Sequence, residues 1–313
     1  MKQITNTILM VRPVQFRMNE QTAVNNYFQE DIEDVSDKKL QNIARDEFDD
    51  MTNKLIAAGV NVVIVEDIEK LDTPDSIFPN NWVSFHENGD VAIYPMFAEN
   101  RRLERRGDIF DLLEQKGFII KNIVDYTSAE ENNLFLEGTG SLILDRVNRK
   151  AYCALSARAD EELLIEFCED FEYMPIPFVA YQSVEDERLP IYHTNVMMAL
   201  AEEFAIICLD SIDDKKERKN VIKHLKADGK EIIAITEKQV HCFAGNMLQV
   251  MGDNDKPYLV MSTAAFESLN PQQIKTIEKY CEIIHSSLET VETLGGGSAR
   301  CMMAEVFLPK REE

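Results

Sequence analysis

Hydrophobic and polar positions along this chain follow two periods, and they do so in a recurring order. In KKLQNIARDEFDDMTNKLIAAG, Leu40, Ile43, Met51 and Leu55 share one helical face, and the strand-like VNVVIVE follows at once from residue 60. The succession returns as IFDLLEQKG then FIIKNIV from 118, and as EELLIEFCEDFEY then PIPFVA near 175. It returns again as RKNVIKHLKADG then KEIIAIT from 230, and as PQQIKTIEKY then EIIHSSL from 282. The five strands start roughly 52 to 58 residues apart, a period typical of radially repeated architectures. Short β-like returns follow most of them; SLILDRVNRKAYCAL reads as a hairpin turning near Val147 and Asn148. Each unit is therefore predicted to be helix, strand and β-rich return. Five units closing in a ring make a single α/β domain over residues 1–313, a five-bladed α/β propeller with a central funnel. Ordinary α/β proteins also alternate helices with strands; the regular spacing along the whole chain favours the ring.

No Gly/Ser run, Pro-rich stretch or low-complexity tract divides the chain. The opening MKQITNTILMVRPV has a short apolar run broken by Thr5 and Thr7 and no small-residue cleavage site, so it reads as a first strand rather than a signal peptide. No segment approaches the ~20 apolar residues of a membrane span. Six cysteines lie at 153, 168, 208, 242, 281 and 301 with no CxxC pair, which suggests reduced thiols in a cytoplasmic setting. The formal charge of −23 argues against a nucleic-acid partner, since the basic cluster Arg101, Arg102, Arg105 and Arg106 is too local to displace counterions.

Candidate chemistry lies in three segments. In TLGGGSARCMMAEVFLP, three glycines precede a strand predicted to begin near Ala299, with Cys301 at its start. LEGTGSLIL presents Glu137 before a Gly-Thr-Gly turn, and YHTNVMMAL presents His193 between Pro190 and an apolar strand. Singly, these residues read as a buried thiol, a solvated acid and a structural histidine. Together they supply a thiolate, an acid/base and a carboxylate to orient it. His86, His224, His241 and His285 show no ligand spacing, so no metal or other cofactor is expected. His241, Asn246 and Trp82 sit in β-rich segments where packing explains them at least as well.

The set LEGTGS, YHTN and GGGSARCM resembles the guanidino-group-modifying, or pentein, superfamily: arginine deiminases, dimethylarginine dimethylaminohydrolases and amidinotransferases. The resemblance covers essentially the whole chain, and VRPVQFRMNEQTAVNNYFQ is most similar to a branch of citrulline-utilising hydrolases. It implies the five-bladed propeller that the repeats suggest independently. It also implies Cys301 as nucleophile, His193 as proton donor and then activator of water, and Glu137 as the group holding that histidine. Asp75 matches a residue contacting the substrate's amino-acid end. Arg101, or Arg102 in its place, and Arg158 match arginines that bind the substrate carboxylate, which suits a bidentate fork.

One departure bears on the substrate. Arginine deiminases place aspartates at the positions of Asn81 and Asn195. A buried cation deprived of its partner loses on the order of 3–5 kcal/mol. Asparagine both donates to a ureido oxygen and accepts from its N–H groups. The expected function is therefore cysteine-dependent hydrolysis of a ureido group on a small amino acid, with citrulline leading to ornithine, ammonia and carbon dioxide. Arginine or methylated arginine is the alternative substrate, amidinotransferase activity or a non-catalytic binding module comes further behind, and a homo-oligomer is compatible with the chain.

Overall fold

The computed structural model describes residues 2–32 and 35–311. The first amphipathic run forms a helix over Asp37–Ala57. It buries Leu40, Ala44, Phe48, Met51 and Leu55 at helical spacing against Ile8 and Met10, while Ile43 lies at the rim of that face and is exposed. Gly59, at φ 84°, ends it by turning the chain straight into the next strand. The other four predicted helices form over Asp108–Gln115, Glu161–Asp170, Lys215–Ala227 and Pro271–Ile277. The side chains of Asp160, Asp214 and Asn270 cap three of them by accepting backbone N–H groups of the first turn.

Five three-stranded sheets follow one rule. A central strand pairs antiparallel with an inner strand and parallel with an outer strand that arrives after a helix. In four of them, inner, central and outer strands follow in chain order. These are Val83–Phe85, Asp90–Ile93 and Asn122–Asp125; Leu142–Asp145, Lys150–Ala154 and Met174–Phe178; Met198–Leu200, Phe204–Ile207 and Glu231–Ala234; and Leu248–Met251, Pro257–Ser262 and Glu282–Ser286. The remaining sheet joins both ends of the chain: Thr7–Arg12 is central, Asn61–Glu66 outer, and Ala304–Glu305 inner. Burial falls from inside outward. Val83–Phe85, Leu142–Asp145 and Met198–Leu200 are wholly buried, whereas Asn122–Asp125 is largely exposed. A two-stranded hairpin, Tyr181–Val184 with Glu187–Pro190, is added. Among the described residues no sheet closes on itself, and no helix is long and apolar enough to cross a membrane.

Two predicted strands differ from what forms. The run from 118 pairs in its own sheet only over Asn122–Asp125, because Phe118 and Ile119 bridge to the C-terminal segment at Lys310 and Pro309 instead. The strand expected from Ala299 starts at Ala304. Residues 298–303 are a chain of turns closed by Cys301 N–H on the Ser298 carbonyl at 3.0 Å, so Cys301 sits ahead of the strand. The hairpin around Val147 and Asn148 forms as predicted.

Phe167 is fully buried, stacked on Phe171 at 4.8 Å and on Tyr173 at 5.9 Å. Phe167→Ala is expected to destabilise the fold by about 3–5 kcal/mol. The urea unfolding midpoint would measure this, and a loss under about 1 kcal/mol would show that the helix over Glu161–Asp170 is not anchored through this ring.

Candidate active site

Five of the residues singled out above converge because each stands shortly before an inner strand. Asn81 ends the short helical turn Pro79–Asn81 before Val83, and Glu137 caps the turn Gly138–Ser141 before Leu142. His193 and Asn195 flank Thr194 before Met198, and Cys301 lies in the turns before Ala304. A buried cavity of about 10 Å³ is lined by Asp75, Asn81, Arg101, Arg158, His193 and Cys301, among others. A larger cavity of about 500 Å³ lies near Lys2, Gly252 and Phe307, and neither cysteine nor histidine lines it.

Glu137 and His193 form the centre of the charge arrangement. Glu137 Oε2 lies 2.7 Å from His193 Nε2, and Oε1 accepts the Phe97 N–H at 3.0 Å. Arg158 and Arg101 approach the same carboxylate at 3.6 and 3.9 Å. Burial alone would raise the Glu137 carboxyl, but Arg158, the His193 bond and Arg101 outweigh it and hold it down at about 2. For His193 burial dominates and pushes the imidazole down to about 4, with Glu137 pulling the other way. The pair is thus carboxylate and neutral imidazole at neutral pH. Nε2–H donates to Glu137, which leaves Nδ1 as the ring's acceptor.

Cys301 is buried, and its Sγ accepts two amide N–H groups, from Asn195 Nδ2 at 3.3 Å and Asn246 Nδ2 at 3.2 Å. Burial pushes the Cys168 thiol up to about 12, and it pushes Cys281 up to about 11 against the opposing hydrogen bond from Gln249. Asn195 therefore faces the sulfur rather than lining the cavity, and its Oδ1 is buried without a partner. Asn246, read from sequence as a packing residue as much as anything, belongs to this group. The signal that finds it is positional: it stands two residues before the inner strand Leu248–Met251, as Asn81 stands before Val83–Phe85.

The arginines divide. Arg101 donates through Nε and Nη2 to both oxygens of Glu104 at 2.9 and 3.0 Å, and through Nη1 to Asn81 Oδ1 at 2.8 Å. The fork expected to take a substrate carboxylate is closed on Glu104. Arg102 lies off the cavity, on the Met96 carbonyl and Glu130. Arg158 is held by the segment above the cavity, donating to Thr22 O at 2.8 Å and Asn25 Oδ1 at 2.9 Å. The same segment gives Asp75 Oδ2 the amide of Asn19 at 2.7 Å, while Asp75 Oδ1 is buried without a partner. Asn26 on the carbonyls of Gly295 and Gly296, and Gln29 on that of Leu294, fasten this strap over the site. Among the described residues no group of three or more His, Cys, Asp or Glu is placed to hold a metal ion.

The chain matches the model of the family described as N,N dimethylarginine dimethylhydrolase, eukaryotic, over residues 12–308. No curated protein matches it. Among solved structures it is similar to ArgZ, an arginine dihydrolase from the ornithine-ammonia cycle in Cyanobacteria, in its apo form. That likeness has a TM-score of 0.72 and 16% identity over 97% of this chain and 41% of that one. The N-terminal domain of ArgZ bound to substrate aligns with a TM-score of 0.71 and 16% identity, over 96% of this chain and 99% of the domain. A dimethylarginine dimethylaminohydrolase adduct with S-methyl-L-thiocitrulline aligns with a TM-score of 0.63 and 14% identity, over 96% and 99%. The chain therefore spans about two fifths of full-length ArgZ and nearly all of its N-terminal domain. At these identities the structural likeness is one of fold, mixed α/β of the pentein kind. The match over most of its length places the chain in the N,N dimethylarginine dimethylhydrolase family.

Proposed function

We propose that the chain is one catalytic domain, a five-bladed α/β propeller, that hydrolyses the ureido group of a free amino acid, citrulline first among candidates. The observation that carries this reading is a single buried cavity shared by Cys301, a neutral His193 held on Glu137, and the amide of Asn81. His193 Nδ1 takes the thiol proton as Cys301 attacks the ureido carbon, and passes that proton to the departing nitrogen as one carbon–nitrogen bond breaks. A thiocarbamate remains on sulfur. Water activated by His193 adds to it, the thiol is restored, and the carbamic acid set free breaks its remaining carbon–nitrogen bond as it loses carbon dioxide, so citrulline and one water become ornithine, ammonia and carbon dioxide. Asn81 favours a head with a carbonyl: its Oδ1 is taken by Arg101 and one N–H is donated to Asn80 Oδ1 at 3.1 Å, so what it has left to offer is its other N–H. The unpartnered oxygens of Asn195 and Asp75 are acceptors in reserve for substrate N–H groups. Arg158 is the cation left to meet a carboxylate once Asn25 releases it.

A second reading takes arginine or a methylated arginine as substrate. It is favoured by the names of the similar structures, an arginine dihydrolase and a dimethylarginine dimethylaminohydrolase. Incubation with citrulline and with arginine, measuring ornithine, citrulline and ammonia, decides between them. Ornithine from citrulline is the expected result, and turnover of arginine alone would overturn it. Cys301→Ala is expected to lose at least ~10³-fold in either case.

Gly140 faces both His193 and Asn81. A Cβ there would stand 2.4 Å from Asn81 Nδ2 and 2.9 Å from His193 Nδ1. Gly140→Ala is expected to lower kcat/KM about 100-fold, the scale of a 1 Å misplacement. Unaltered kinetics would mean that neither side chain needs its present position.

The His193 ring is expected not to titrate between pH 5 and 8, followed by histidine side-chain NMR, because its folded value is about 4. The unfolded chain takes up this proton near 6.5 and the folded chain resists it. Stability from this group is therefore complete above 6.5 and lost as pH falls toward 4, by roughly 3 kcal/mol in all. A resonance titrating near 6.5 would contradict the buried neutral pair.

A further inference from the structure

We propose that Asn246 is a positioning residue for the nucleophile: with Asn195 it forms a two-amide cradle that stabilises the sulfur of Cys301 as it gives up its proton. The inference rests on Cys301 as nucleophile, but not on which compound is hydrolysed.

The orientation of Asn246 is enforced. Its Oδ1 accepts the N–H of Arg300 at 2.9 Å, so Nδ2 must point the other way, to the Asn195 carbonyl at 3.0 Å and to Sγ at 3.2 Å. Flipping the amide would break the Arg300 and Asn195 bonds and set an oxygen against sulfur. The turn that carries Asn246 is pressed onto the turn that carries Asn195. A Cβ on Gly245 would lie 2.4 Å from the Val196 carbonyl, so only glycine lets the two asparagines meet. Both asparagine side chains are fully buried, where an N–H donor to a charged acceptor is worth more than in water.

Among the described residues, Asn195 and Asn246 are the donors to this sulfur. On its own segment, the Arg300 guanidinium is committed to Glu305 and the Met303 carbonyl, and Ser298 donates to Glu292. Across the cavity, His193 and Arg158 are drawn to Glu137, Arg101 to Glu104, Asp75 to Asn19, and the Tyr192 hydroxyl donates to the Gly296 carbonyl. Burial works against an imidazolium–thiolate pair, the usual device for activating a cysteine, because it lowers the His193 imidazole, whose Nε2 is tied to Glu137. Two neutral amides perform that task here.

The test needs no substrate. Alkylation of Cys301 by iodoacetamide in the full chain is followed by mass spectrometry from about pH 6 to about pH 10, where the rate tracks the thiolate fraction. Asn246→Leu is expected to move the midpoint up by about one to two pH units, the loss of one hydrogen bond to a charged group, with the limiting rate at high pH retained. Asn246→Asp keeps the acceptor for Arg300 but replaces the donor, and is expected to move it at least as far. Opening of the strap is common to all variants and cancels from the midpoint. Should Asn246→Leu fail to fold, Asn195→Ala removes the other donor and reads the same shift. An unmoved midpoint, or a lowered limiting rate without a shift, overturns the proposal. Failure of the wild type to release ornithine from citrulline, beside the expected alkylation profiles, would sink the substrate assignment and leave the cradle standing.

Discussion

Glu137 carries a charge where no water reaches it, and the side chains around it are arranged to that end. An isolated carboxylate in such a place would cost several kcal/mol and would take up a proton instead. Here the Phe97 N–H, the His193 ring and two guanidinium groups share it. Each compensation creates a further demand. His193, tied at Nε2, has its tautomer chosen for it. Arg101 reaches Glu137 only at 3.9 Å and is held more closely by both oxygens of Glu104, whose carboxyl burial raises to about 8. Arg101 in turn fixes which face of the Asn81 amide looks into the cavity. One buried anion thereby sets the protonation of the imidazole and the polarity of the amide opposite.

The fold was readable where periodicity is strong. Helices of the Asp37–Ala57 kind show their buried face in the spacing of Leu40, Met51 and Leu55, and the helix-to-strand succession survives because each outer strand must follow a crossover helix. Legibility failed where long-range pairing overrode local pattern. Phe118 and Ile119 look like the start of a strand but are captured by Lys310 and Pro309, nearly two hundred positions away. Ala299 and Cys301 look like strand because apolar residues follow, yet turns precede the short pairing at Ala304.

The site was readable as residue types but not as partnerships. Cys301, His193, Glu137, Asn81, Asp75 and Arg158 stand out through their motifs and line or flank one cavity. That Arg101 spends its fork on Glu104, or that Asn195 turns toward sulfur, depends on side-chain direction, which no spacing encodes. Asn246 was hidden by a different cause: no chemistry-bearing neighbour marks GNMLQV. The position does recur, however. Asn81, Gly140 and Asn246 each stand two residues ahead of an inner strand, while Asn195 and Cys301 stand three ahead of theirs. Read as five versions of one place, they are three amides, one thiol and a gap, and the gap is where His193 and Asn81 lie.

The sheet that joins both chain ends has a consequence for how the molecule comes into being. Thr5 Oγ1 donates to the Val306 carbonyl across 301 residues, and Ile8 and Leu9 pair with Glu305 and Ala304. Contacts this remote in sequence form late and slowly, because the chain between them must be ordered first. On the ribosome, the central strand of that sheet must wait for its inner neighbour until the segment around Ala304 has been made. The segment that completes it also carries Cys301, so the seam between these strands and the wall of the buried cavity are finished together.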